Sequence, residues 1–214
     1  CQRWSRGEVM LFDSHAHLND DRFDEDREEA IEYIRKSGVD LVVTPGADME
    51  TSKSAIELAN KYDFIYSAVG VHPHDVSGMT ESDIETLRKW AKENEKVVAI
   101  GEIGLDYYYD LSPREDQKKW FIRQIELANE LGFAFIVHDI YAHGDNFEII
   151  KKYKAKDTGC VLHCYSGALE LAQEYVKLGC YISIPGTVTF KNNKKTVEVA
   201  KEIPLEWLFI ETDS

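Results

Sequence analysis

The chain is short of positive charge. Its 214 residues carry 25 Lys and Arg against 39 Asp and Glu, a formal net charge of −14. Wrapping duplex DNA on a broad basic surface draws its affinity from counterions displaced by many Lys and Arg, so the balance argues against that class. An enzyme that supplies positive charge locally through bound metal ions is not excluded. Apolar runs are short too, none approaching the ~18 residues that a membrane-spanning helix requires. Cysteine is sparse: Cys1, Cys160, Cys164 and Cys180 show no CxxC spacing. Such usage is too thin for a disulfide scaffold and ordinary for an enzyme of the reducing cytoplasm. Residues 1–9 lack the apolar centre of a signal peptide. Met10 stands just ahead of the first strand-like run, so residues 1–9 are read as an N-terminal extension and 10–214 as the domain.

What is present is an alternation. Hydrophobic residues make up 43% of the chain. They fall into short β-branched runs at 10–14, 41–44, 65–71, 97–102, 134–138, 161–163, 181–184 and 208–211. Amphipathic stretches rich in Glu, Lys and Ala lie between them, at 24–37, 49–62, 80–94, 113–131, 143–153, 167–178 and 193–202. Gly38, Gly132 and Gly179 suit left-handed helix ends. Thr80 with Asp83, and Ser112-Pro113 with Glu115, read as a cap followed by an acidic first turn. No repeat, low-complexity tract or linker interrupts the series. Eight strands separated by seven helices predict an α/β fold, the (β/α)8 TIM barrel, rather than an open doubly wound sheet. Such barrels usually take ~250 residues. The expectation is therefore a barrel lacking the helix after strand eight, since the sequence stops at Ser214.

Histidines and carboxylates recur where these strands end, the face on which barrel enzymes keep their chemistry. His15 and His17 are two apart in a strand-like segment, so both point to one side and can share a divalent metal. Glu102 closes the buried run Val97-Val98-Ala99-Ile100-Gly101, and its two oxygens can bridge two ions. Gly101 and Gly104 beside it allow close approach. His138 follows Ala134-Phe135-Ile136-Val137, and His163 follows Cys160-Val161-Leu162. Asp213, at the end of strand eight, can ligate a metal and take a proton from an attacking water. Each residue alone has an ordinary reading as a packed histidine, a turn carboxylate or a helix cap. Six of them on five strand ends make a metal centre the stronger reading.

Asp13 and Asp106 are expected behind these ligands. His72 and His74 can meet substrate or support the ligands, but Pro73 between them argues for a turn rather than a ligand pair. Cys160 and Cys164 are read as small packing residues, and the acidic run 20–26 as a solvated approach to a helix.

The stretches FDSHAHLNDDRFDEDREEAI, VGVHPHD, VVAIGEIGLDYYYD, VLHCYSG, GTVTFKN and IPLEWLFIETDS resemble the TatD family of metal-dependent deoxyribonucleases, in family order from Met10 to Ser214. The resemblance implies a TIM-barrel hydrolase with two divalent cations that cleaves phosphodiester bonds of DNA, at ends or in single strands. It implies that His15, His17 and Asp213 hold one ion, that His138 and His163 hold the other, and that Glu102 bridges. Asp213 then accepts the proton of the attacking water, and Lys191 in the TFKN segment is a candidate phosphate contact. Mixed imidazole and carboxylate donors suit zinc, manganese or iron, and magnesium less well.

Two departures from the family pattern stand out. Where the family carries H-x-R-D-A, this sequence reads His138-Asp139-Ile140-Tyr141-Ala142, which puts Ile140 in place of an arginine able to clamp phosphate. Family members also continue beyond ETDS into a loop and terminal helices, which here implies a mouth open on one side. Two alternatives follow: an amidohydrolase or lactonase on the same barrel, or a metal-binding chain that no longer turns over substrate. The first commonly bridges its metals with a modified lysine, and strand four ends in Glu102 instead.

Overall fold

A computed structural model describes residues 11–214. The expected extension at 1–9, and Met10 at the head of the first expected strand, lie outside the described residues. Eight strands follow one another: β1 (Leu11–Asp13), β2 (Val39–Pro45), β3 (Ile65–Val69), β4 (Val97–Asp106), β5 (Ala134–Ile140), β6 (Cys160–Leu162), β7 (Cys180–Pro185) and β8 (Leu208–Glu211). Each pairs in parallel with the next, and β8 returns to β1, so the sheet closes into a barrel. Closure is made where Asp13 pairs with Ile210, and the Ser14 N–H donates to the Ile210 carbonyl at 3.1 Å.

Between the strands run α1 (Arg27–Lys36), α2 (Met49–Lys61), α3 (Glu81–Glu93), α4 (Arg114–Leu131), α5 (His143–Tyr153), α6 (Leu169–Lys177) and α7 (Lys194–Glu202). Parallel neighbours need such crossovers, and helices covering the outer face explain why the strands are apolar on both sides. Gly38, Gly132 and Gly179 all have positive φ, as their places at helix ends suggested. Thr80 and Asp83 form the expected capping box. At α4 the expectation fails in one detail: Pro113 holds the cap position, and Ser112 does not cap the helix. The Ser112 hydroxyl instead donates to the His74 carbonyl at 2.7 Å, which ties the loop after β3 to the start of α4.

Strand alternation sorts the core into two layers. Phe135 and Val137 face outward into a large cluster with Trp120, Phe121 and Ile125 of α4. Ala134 and Ile136 face the other way, with Val43, Ala68, Ala99, Phe12 and Tyr66. His138 continues that inward face, so this second cluster is the floor beneath it. Each fully buried Ile, Val or Phe contributes roughly 1.5–3 kcal/mol relative to exposure. The floor is therefore an apolar base for whatever sits above.

β4 is longer than the expected 97–102. Its ladder with β5 breaks between Ile100 and Ile103, where a cis peptide joins Gly101 to Glu102, and then resumes as far as Asp106. Glu102 thus projects from a break inside the strand rather than from its end. Gly104 shows why the strand can carry on. With φ at +144°, its Cβ would lie 2.1 Å from the His138 carbonyl oxygen, so only glycine lets β4 and β5 approach this closely.

Candidate metal centre

The site is assembled at the mouth of the barrel from segments that close packing brings within one cavity of about 290 Å³. His15 follows β1 and is fully buried. Its carbonyl accepts from the Asp213 N–H at 2.9 Å, so the loops after β1 and β8 are stitched together. His15 Nε2 and His17 Nε2 face each other at 3.1 Å. Glu102 lies between two groups of imidazoles. Its Oε2 is 3.4 Å from His15 Nε2 and 3.6 Å from His17 Nε2. Its Oε1 is 2.8 Å from His138 Nδ1, 3.5 Å from His163 Nε2 and 3.6 Å from His72 Nε2. Asp213 Oδ1 completes one side, 3.9 Å from both His15 and His17 and 4.0 Å from His163. The six side chains singled out from the sequence are thus brought together.

Carboxylates behind the histidines decide which ring nitrogen faces inward. His138 Nε2 is 3.0 Å from Asp106 Oδ2, and His163 Nδ1 is 3.2 Å from Glu211 Oε1. A carboxylate at one ring nitrogen favours the proton there, which leaves the other nitrogen, on the Glu102 side, able to offer its lone pair to a bound cation. Glu211 is itself held, accepting from the Ser183 hydroxyl at 2.5 Å and the Cys164 N–H at 2.6 Å. Asp106 is pinned by α4, where Gln117 Oε1 accepts its backbone N–H at 2.8 Å. Asp13 acts more locally: Oδ1 accepts the N–H groups of His15 and Thr212, and Oδ2 accepts the Thr212 hydroxyl at 2.7 Å.

The electrostatics suit a cation. Burial alone would raise the Glu102 carboxyl, but the imidazoles of His163 and His72, with hydrogen bonds from His138 and His15, hold it well below the usual carboxylate range. Burial works against charging His138, yet Asp106 and Glu102 on its two nitrogens push it up to about 9. His72, with burial dominant, is pushed down to about 3. Lone pairs that converge across 2.8–3.6 Å are relieved by a proton or a metal ion between them. Metal–nitrogen bonds of ~2.0–2.1 Å place neighbouring donors roughly 3.3 Å apart around one tetrahedral ion. The residues present therefore fit divalent cations. Two sets, His15 with His17 and Asp213, and His15 with Glu102 and His163, each offer ligand atoms within 4.8 Å of one another.

Other residues sit differently from what the sequence suggested. His72 and His74 flank the expected turn and both line the cavity, where they can meet substrate or support the ligands as the sequence allowed, and His74 Nε2 lies 2.8 Å from Asp106 Oδ2. They form with His138 a further set of nitrogen donors within 4.8 Å. Pro73 does not turn them apart. Cys160 is buried as expected, whereas Cys164 is half-buried and its thiol groups with His163 and Asp213. Lys191 is exposed beyond the Gly186–Thr189 turn and does not line the cavity.

Glu211 was not singled out from the sequence, although it ends the apolar run Leu208-Phe209-Ile210 much as Glu102 follows one in β4. Tyr109, one of three consecutive tyrosines with no local signal to set it apart, lines the cavity beside His74. Among the described residues no Lys or Arg lines it.

Comparison with known proteins finds relatives along nearly the whole chain. A family model described as TatD related DNase matches residues 12–214. The chain is 47% identical over 207 residues to the uncharacterized metal-dependent hydrolase YabD of Bacillus subtilis, covering 95% of this chain and 80% of that one. It is 34% identical to the 3'-5' ssDNA/RNA exonuclease TatD of Cronobacter sakazakii, over 95% of this chain and 78% of that protein. Among solved structures, the TatD homolog YJJV of Escherichia coli K12 superposes with a TM-score of 0.88 at 31% identity, covering 95% of this chain and 78% of that one.

Proposed function

The chain belongs to the TatD related DNase family of metal-dependent hydrolases, and on that premise we propose that it is a deoxyribonuclease working with two divalent cations on DNA ends or single strands. One observation carries the reading: the two oxygens of Glu102 face different histidine sets, His15 with His17 on one side and His138 with His163 on the other. His15, His17, Asp213 and Glu102 Oε2 would hold one ion, and His138, His163 and Glu102 Oε1 the other. When bound, such ions polarise a phosphoryl oxygen and lower the pKa of water. Their nitrogen and oxygen donors suit zinc, manganese or iron, and magnesium less well.

The protein's own groups do the rest. Asp213 is the partly exposed carboxylate of the set, and it accepts the proton of the attacking water and passes it to solvent. Its backbone stands at φ 54° and is anchored to His15, which fixes the point from which the carboxylate projects. Asp106 and Glu211 keep His138 and His163 in the tautomers that offer a lone pair to the centre. Lys191 would meet only phosphates lying beyond the cavity. The free cysteines Cys160, Cys164 and Cys180 accord with a cytoplasmic enzyme.

The test is metal-dependent cleavage of single-stranded and duplex DNA by the wild-type chain, His15→Ala and Glu102→Ala. A panel of cyclic amides and lactones is run alongside. Loss of DNA cleavage in both variants is expected. Equal cleavage by all three rejects the site, and turnover of the panel in place of DNA favours the amidohydrolase reading. β4, Val97–Asp106, contains no lysine, which argues against that second reading.

A further inference from the structure

The rim beside the metal centre carries an aromatic surface that neither the fold nor the hydrolytic chemistry uses. β4 ends at Asp106, and Tyr107, Tyr108 and Tyr109 follow; β5 ends at Ile140, and Tyr141 follows. Tyr107 turns inward, donating its hydroxyl to Asp145 at 2.6 Å beneath the Arg114 guanidinium. The other three remain 61%, 58% and 74% exposed at Tyr108, Tyr109 and Tyr141. They are not scattered. Tyr108 stacks on Tyr141 with centroids 5.4 Å apart and planes 25° from parallel. Tyr109 meets Tyr108 edge-on at 4.8 Å and His74 at 5.5 Å. An unbroken series of rings thus leads from the cavity to its rim.

The surface is also held in place. Asp106 Oδ1 accepts the N–H groups of Tyr108 and Tyr109, each at 2.9 Å, while Oδ2 holds His138 and His74. One buried carboxylate therefore fixes the aromatic segment relative to a proposed metal ligand. Tyr141 sits at φ 55°, a left-handed conformation that a bulky residue adopts at a cost and that concentrates at functional sites. Single exposed tyrosines need no explanation. Three joined ring to ring through Tyr108, two of them anchored by Asp106 and all open to solvent, do.

We infer that Tyr108, Tyr109 and Tyr141 form a stacking subsite for the unpaired nucleobase next to the phosphate held at the metal centre. The inference rests on the nuclease reading above and adds how the strand is gripped. A chain of net charge −14, with no Lys or Arg among the described residues lining the cavity, gains little from phosphate attraction along the strand. Base-on-aromatic stacking needs no such charge and tolerates any sequence, because every base has a π face. Duplex bases already stack on each other, so the surface selects single strands or frayed ends.

The experiment uses the manganese-loaded full chain and short single-stranded DNA carrying 2-aminopurine at one end or the other. It reads fluorescence quenching in the first moments after mixing, and then KM and kcat for cleavage. Tyr108→Ala/Tyr141→Ala should lose the quenching and raise KM roughly tenfold or more. Tyr108→Phe/Tyr141→Phe should keep both, since the ring is retained. An oligonucleotide abasic at its end should bind the wild type and the alanine variant equally.

Unchanged KM and quenching in the alanine variant would overturn the subsite. So would an equal loss on the abasic strand, which would mark a structural defect or a surface for some other partner. If the wild type itself gives no quenching, the subsite falls, and the cleavage measurement shows separately whether the nuclease reading falls with it.

Discussion

Asp106 Oδ2 lies 3.0 Å from His138 Nε2, and the opposite nitrogen of the same ring faces Glu102 Oε1 at 2.8 Å. The imidazole is thereby held between two carboxylates, one belonging to the proposed ligand set and one fixing its orientation. Asp106→Asn tests this directly. An amide oxygen can still accept the N–H groups of Tyr108 and Tyr109, but the NH2 group now donates to His138 and forces the wrong tautomer. Metal affinity should fall about 10–100-fold with the fold retained. Competition with a fluorescent chelator reads it, and an unchanged affinity would contradict the assigned role.

Glu211 does the same for His163 from the far side of the barrel, with the Ser183 hydroxyl and Cys164 N–H as further partners. Glu211→Gln keeps an acceptor for only part of that set and leaves buried groups poorly matched. Metal affinity should drop, and the chain should lose about 1–3 kcal/mol of stability by urea denaturation. A variant as stable and as tightly metallated as the wild type would remove Glu211 from the account.

Gly104→Ala places a Cβ 2.1 Å from the His138 carbonyl oxygen at a φ of +144°. Overpacking and a strained backbone together should cost about 3 kcal/mol or more. Metal binding should weaken as well, because β4 carries Glu102 and β5 carries His138. A change of stability within about 0.5 kcal/mol in the same denaturation measurement would show that the two strands can part without harm.

His143, at the start of α5, pairs with Asp139 Oδ2 at 2.9 Å. The Asp139 carboxylate beside it outweighs burial and raises His143 above its ordinary value of 6.5. A raised folded-state value means the stabilisation is full below about 6.5 and fades as pH climbs through the folded value. Chelator-treated wild type should therefore lose stability relative to His143→Gln between pH 6 and pH 9. Parallel urea curves for the two proteins at both pH values would contradict the pairing.

The barrel was legible because its signals are local. Apolar β-branched runs, glycine stops such as Gly132 and the Thr80–Asp83 box each act within a few residues. The cavity-facing residues were legible because polar groups such as His138 and His163 end runs that are otherwise apolar. What escaped depends on contacts between distant segments. Glu211 gains its role only once β8 closes beside β7 and the loop after β6, 47 and 28 residues from its partners Cys164 and Ser183. His72 and His74 were open to a place at the site, but their grouping with His138 forms only once the loop after β3 packs against β5. β4 overran its expected end because Glu102 reads as a terminus, although Ile103 and Leu105 carry the alternation on.

The most direct test of the account is the electron paramagnetic resonance of the manganese-loaded chain together with its metal content. Sharing of Glu102 by two sites requires two ions per chain and the signature of an exchange-coupled pair, which should vanish in Glu102→Ala. A single ion per chain, or two ions whose spectra are those of isolated manganese and are unaltered by Glu102→Ala, would contradict it.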